Sequence, residues 1–144
     1  MWRSLEGQTG RGVTKASDIF SFGLVCIYAL GGADLLLLEH PKELEKQGII
    51  PEQLVLIRHF SYFGLVNDGL LRQVDSEHWS NALKEASEAA EKAVKEQPEL
   101  RFGWWGKELS PAAQNMISGM TNVDPRARLT IDEVMAHPWW EEVD

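Results

Sequence analysis

The segment Ile19-Phe20-Ser21-Phe22-Gly23-Leu24-Val25-Cys26-Ile27-Tyr28-Ala29-Leu30 constrains this chain more than any other, because it is apolar on nearly every side of a helix. A helix without a wet face is stable only with other elements packed around it. Ser17 or Asp18 can cap its start by accepting an orphan backbone N–H, and Gly31-Gly32 stops it. The run is well short of the about 20 residues that a membrane span requires, so it predicts a buried helix and no membrane partner. The opening residues Met1-Trp2-Arg3-Ser4-Leu5-Glu6 contain no apolar stretch, and no secretory signal is expected.

With 44% hydrophobic and 25% charged residues, the 144-residue chain has the composition of a folded globular body, and its length suits one domain. A formal net charge of -8 argues against a nucleic-acid partner, since neutralising phosphates takes clustered Lys and Arg. Cys26 is the only cysteine and cannot form an internal disulfide; inside an apolar run it reads as a buried structural thiol and not a nucleophile. An intracellular, cytoplasmic setting is expected.

Along the chain, residues 1–16 hold Gly7, Gly10 and Gly12 among polar residues with no period, which predicts a loop. Residues 17–32 are the central helix. Between 33 and 109 the pattern is less regular, with an apolar run at Leu35 to Leu38 and a helix from Pro51 to about Phe60. Asp75-Ser76 then caps a long amphipathic helix that Pro98 ends. In it Trp79, Ala82, Leu83, Ala86, Ala90, Ala93 and Val94 recur at helical spacing, with Glu88/Lys92 and Glu91/Lys95 paired on the wet face. Residues 110–140 hold the final helices. Ser110-Pro111 starts one whose apolar positions are Leu109, Ala113, Met116, Ile117 and Met120; Thr130-Ile131-Asp132-Glu133 is a capping box starting a second, which Pro138 closes. No repeat, low-complexity tract or convincing strand is present, so the expected fold class is all-α.

Two distant segments carry chemistry together. The first is Trp2-Arg3-Ser4-Leu5-Glu6 followed by Asp18-Ile19-Phe20-Ser21-Phe22-Gly23; the second is Asp124-Pro125-Arg126-Ala127-Arg128-Leu129-Thr130 leading to His137-Pro138-Trp139-Trp140. In order and spacing they resemble landmarks of the C-terminal lobe of protein kinases: the end of the activation segment, the D-x-[WF]-S-x-G opening of the central helix, and the D-P-x-x-R-x-T closing motif. The likeness spans nearly the whole chain, and the Arg128-Leu129-Thr130 and His137-Pro138-Trp139 endings are most similar to serine/threonine kinases. It implies a partial kinase domain over 1–144, the C-terminal half of the lobe with an inserted helix.

The resemblance implies that Glu6 is the glutamate of A-P-E and Arg128 its buried arginine partner. It further implies that Asp18 accepts hydrogen bonds from the catalytic-loop backbone, that Gly23 closes the central-helix motif, and that Trp2 faces the substrate beside the phosphorylated hydroxyl. Asp18 as a helix cap only, and Trp2 as an unremarkable terminal tryptophan, remain open alternatives. Leu5 stands where the family has proline, Phe20 where tryptophan is commoner, and 33–109 is longer than expected, with the Asp75–Gln97 helix as an insertion of unassigned role.

Phosphoryl transfer depends on a glycine loop, a strand lysine, a catalytic aspartate and aspartate- and asparagine-held Mg²⁺. No segment here reads G-x-G-x-x-G, V-A-I-K, H-R-D or D-F-G, so the chain alone is expected to have no catalytic, cofactor or metal residues and to be inactive. Mg-ATP is expected only for a complete parent, with a protein substrate or the N-terminal part of the kinase as partner. Gly7 to Gly12 has P-loop spacing, but Val13 occupies the lysine position and no strand precedes it, so a connecting loop explains the glycines. His40, His59, His78 and His137 show no metal-ligand spacing, and solvent or capping roles suffice for them. The Glu77 to Glu96 charges read as a wet face, with an acidic docking surface as the alternative. The doublets Trp104-Trp105 and Trp139-Trp140 read as packing. The rival function is a non-catalytic helical interaction module or pseudokinase remnant.

Overall fold

In the computed structural model, which describes residues 2–32, 46, 48 and 50–142, the central helix starts earlier than its apolar run suggests. It spans Lys15–Ile27 (α2), and its N-cap is Thr14, not Ser17 or Asp18. The Thr14 hydroxyl accepts from the Ala16 N–H, and Ser17 reaches back to accept from the Thr14 N–H at 3.1 Å. This is a capping box with serine in the place of Glu or Gln. After Ile27 the last turn widens over Tyr28–Gly32, where Gly31 takes a φ of 103°.

The N-terminal segment is not all loop. Leu5–Thr9 is a short helix (α1), capped by the Ser4 hydroxyl on the Gly7 N–H and ended by Gly10 at φ 71°. Two of the three glycines that suggested a loop mark its end and the turn beyond it, because both Gly10 and Gly12 sit at positive φ, a region L side chains avoid, while Gly7 lies inside the helix. That turn is fixed to a helix not anticipated from sequence, Asp68–Val74 (α4). Arg11 donates to the carbonyls of Val74 and Asp75 at 2.9 and 2.8 Å, and Gln73 donates to the Gly12 carbonyl.

The helix predicted to end near Phe60 runs Pro51–Phe63 (α3). The inserted helix is Glu77–Glu96 (α5), capped by Ser76, while Asp75 ends α4 in the left-handed region. Leu83, Ala86 and Ala90 bury the predicted face of α5, which packs along α3. On its wet face Glu91 and Lys95 approach to 3.7 Å, an exposed contact of little energetic weight; Glu88 and Lys92 form no ion pair with one another or with any other described residue. Phe102–Trp105 (α6), Pro111–Met120 (α7, capped by Ser110) and Ile131–Met135 (α8, with the Thr130/Glu133 capping box) complete the order. No strand occurs among the described residues, so the chain is all-α. The expected Leu35–Leu38 run and His40 lie outside the described residues.

Two apolar clusters hold these elements. One sets α2 against α7 and α8 through Phe20, Leu24, Ile27, Met116, Ile117, Met120 and Val134. The other joins α1 to α3, α4 and α5 through Leu5, Leu56, Phe60, Leu70 and Leu83, and Phe63 packs against both. The central helix is nevertheless not enclosed: Val25 and Tyr28 are each 48% exposed and Leu30 is 42% exposed. No helix among the described residues is long and apolar enough to cross a membrane.

Candidate functional site

Glu6 and Arg128 reach one another from opposite ends of the sequence because each sits just beyond a structural stop. Ser4 caps α1 so that Glu6 falls in its first turn. Pro125 opens a tight turn over Pro125–Ala127, with the Asp124 carboxylate accepting from the Arg126 N–H, and Arg128 leaves it in extended conformation. Leu129 then donates its N–H to the Gly119 carbonyl, holding the strand-like exit beside α7.

Arg128 Nη1 donates to Glu6 Oε1 at 2.6 Å and Nη2 donates to Oε2 at 3.1 Å, a two-pronged contact with both side chains wholly buried. The planar guanidinium matches the carboxylate in this way and lysine does not. Two of its three remaining donors are answered as well: Nε by the Asn122 carbonyl at 2.7 Å and Nη1 by the Ala16 carbonyl at 2.9 Å. Ser17 donates its hydroxyl to Glu6 Oε1 at 2.8 Å, and the guanidinium carbon lies 4.8 Å from the centre of the Phe20 ring. Burial pushes the Glu6 carboxyl up, but the hydrogen bond and positive charge of Arg128 outweigh it, and the net position is below the ordinary 4.5. The pair therefore joins α1, the first turn of α2 and the segment after α7 at one buried point.

The other residues singled out in the sequence lie around this point and not in it. Asp18 is exposed on the first turn of α2, lining with Arg3, Ser21 and Val13 an open cleft of about 310 Å³. It is not the helix cap. Gly23 lies where α2 crosses α7; a Cβ there would come within 2.8 Å of Thr121 Cγ2, so the small residue sets the distance of approach. Trp2 is 38% exposed and packs edge-on against Tyr28 with ring centres 5.5 Å apart. Ser17, Phe20 and Asn122 were not read from sequence as partners of the pair, although the Thr14-x-x-Ser17 spacing carried the signal that places Ser17.

Cys26 is buried, and burial pushes its thiol up, away from the thiolate a nucleophile requires. The expectation of solvent or capping roles for the histidines fails at His59, which is wholly buried between the rings of Phe20 and Phe63 at 5.2 and 6.0 Å. His78 is exposed, and His137 accepts from the Trp139 N–H while meeting Asn115 at 2.9 Å. Among the described residues no group of His, Cys, Asp or Glu is placed to hold a metal. Trp105 packs on Phe102 and Tyr62 and donates to the Leu100 carbonyl, whereas Trp104 is exposed beneath Lys107.

A family model described as Protein kinase domain matches residues 2–140. No curated protein and no solved structure matches the chain.

Proposed function

The chain belongs to the protein kinase family, and from that premise we propose that it forms the C-terminal helical half of a catalytic domain that transfers the γ-phosphate of Mg-ATP to serine or threonine hydroxyls of a protein substrate. The observation that carries this reading is the buried Glu6–Arg128 contact at 2.6 Å. It ties the segment before α2 to the segment after α7, where a kinase must anchor its activation segment to keep the substrate-binding face in place.

In this reading Asp18 is available, exposed at the top of α2, to accept hydrogen bonds from the catalytic-loop backbone, and Trp2 lies on the substrate side. The chain's own residues position; the glycine loop, lysine, catalytic aspartate and Mg²⁺ ligands of phosphoryl transfer belong to the N-terminal half of such a domain. Isolated, the chain has no affinity for Mg-ATP. The exposed side chains of Val25, Tyr28 and Leu30 also suit a second reading, a non-catalytic interaction module.

The experiment compares Mg-ATP binding and transfer to a protein substrate by this chain with the same measurements on the product of the coding sequence extended upstream. Binding and transfer by the longer product alone support the enzyme. Mg-ATP binding by the isolated chain, or an upstream extension without H-R-D and D-F-G, sinks it.

A further inference from the structure

The short helix α8 buries one side chain, Val134. Ile131 and Met135, one turn apart and so on the same face, are 52% and 63% exposed, and Met135 is the most exposed large apolar side chain among the described residues. Trp140, 37% exposed, lies against the C-terminal end of the same helix: its indole N–H donates to the Val134 carbonyl at 2.7 Å, and its ring stands edge-on to Trp139 with centres 4.7 Å apart. Met and Trp are side chains that protein interfaces favour, and here both are fixed at one end of a capped helix.

The charges around these side chains have one sign. From Leu129 to the end the sequence has five acidic residues and no Lys or Arg. Asp132, Glu133, Glu141 and Glu142 are exposed, and none forms an ion pair with a described residue. Glu133 accepts from the Thr130 N–H and Glu142 from the Ser110 hydroxyl, which leaves Asp132 and Glu141 to face solvent. The nearest base in sequence, Arg128, is buried on Glu6, and Arg126 lies in the turn before it. This charge selects among occupants of the apolar surface. A second copy would set like charges against each other, an anionic bilayer would repel the carboxylates, and a nucleic acid needs bases that are absent here. A cationic apolar segment meets both features at once.

We propose that α8 and the turn Pro138–Glu142 form a docking surface for a basic amphipathic segment of a partner protein, with Ile131, Met135 and Trp140 as apolar anchors and Asp132 and Glu141 as counter-charges. The segment lays its apolar side chains on the anchors, as amphipathic helices do on apolar faces, and the flexible Met135 thioether adapts to their shape. The rim carboxylates govern the association rate and its salt dependence, while the anchors govern dissociation. The proposal does not rest on the chain's place in a catalytic domain.

The test titrates the full chain with an amphipathic model peptide of leucine and lysine, following the amide shifts of Ile131 and Met135 and the indole N–H of Trp140. A leucine–glutamate peptide of the same pattern and a serine–lysine peptide of the same charge serve as comparisons. Saturable binding of the leucine–lysine peptide alone is expected, with shifts centred on α8 and an affinity that falls as salt is raised. Met135→Ser or Ile131→Ser, each at an exposed position where folding is not at stake, should weaken it at least about fivefold. Asp132→Lys with Glu141→Lys should slow association and remove most of the salt dependence, whereas Val25→Lys with Leu30→Lys, on α2 and the turn beyond it, should leave binding unchanged. The proposal is overturned by equal binding of the leucine–glutamate peptide, by binding insensitive to both serine variants, or by shifts that follow Val25 and Leu30 instead of α8. Self-association or binding to phosphatidylserine vesicles that Met135→Ser abolishes would equally overturn it, by assigning the surface to a second copy or to a membrane.

Discussion

Arg128 meets Glu6 across 122 residues of sequence in a two-pronged contact with both side chains fully covered. The energetics of such a pair are asymmetric, since desolvation cancels much of the attraction but a stranded partner recovers none of its hydration. Arg128→Ala should therefore lower unfolding free energy by about 3–5 kcal/mol, measured by urea denaturation. A double change, Glu6→Leu with Arg128→Met, should recover much of that loss. Recovery stays incomplete because the Asn122 and Ala16 carbonyls also lose their donors. Equal losses in the single and double variants would refute the account.

The same carboxylate gives stability a pH dependence. Glu6 is lowered in the folded state from 4.5, so below 4.5 the unfolded chain takes up a proton that the folded chain refuses. Its contribution is fully present above about pH 4.5 and is lost as pH falls through the folded value. Urea midpoints recorded from pH 7 down to 3 should fall most steeply below 4.5, and Glu6→Gln should flatten that portion while lowering the plateau. A slope unchanged in Glu6→Gln would assign acid sensitivity to other carboxylates.

How far the fold was legible in the sequence follows from the range of each interaction. Helices with local caps, such as those opened by Ser76, Ser110 and Thr130, were readable because a cap and its N–H donors lie within three residues. The helix α4 was missed although its Asn67 cap is just as local, accepting from the Leu70 N–H; only its end at Val74 and Asp75 is fixed by a tertiary contact, with Arg11. The buried contact of Glu6 with Arg128 was expected only through the family resemblance; nothing in local patterning links them. Ser17 was taken for a cap when it is the third residue of the cap and a donor to Glu6. His59 was misread because a histidine in a helical pattern looks wet unless its aromatic neighbours from α2 are known.

Gly23 tests the crossing of α2 and α7. An added Cβ would lie 2.8 Å from Thr121 Cγ2 and 3.2 Å from Met120 Cβ. Gly23→Ala gains about 1 kcal/mol of helix propensity, and overpacking costs about 1–3 kcal/mol, so a net loss is expected in thermal or urea unfolding. Thr121→Ser removes the offending methyl yet keeps the hydroxyl that donates to Ile117 at 2.8 Å. The double variant should be more stable than the sum of the single effects predicts, and strict additivity would show that the two side chains do not meet.

Exposed apolar side chains at the end of α2 and in the turn beyond it make a separate claim about solution behaviour. Val25 on α2 and Tyr28 and Leu30 in the Tyr28–Gly32 turn stand 42–48% exposed, and Trp2, 38% exposed, packs on Tyr28. Exposed apolar surface of this kind binds hydrophobic dyes and promotes self-association. Val25→Lys with Leu30→Lys should reduce dye fluorescence and the concentration dependence of sedimentation. The unfolding free energy should change by less than about 0.5 kcal/mol, because neither side chain supports the core. Dye binding that persists undiminished in this variant would place the sticky surface elsewhere, and a large loss of stability would mean that these side chains are covered within the folded chain.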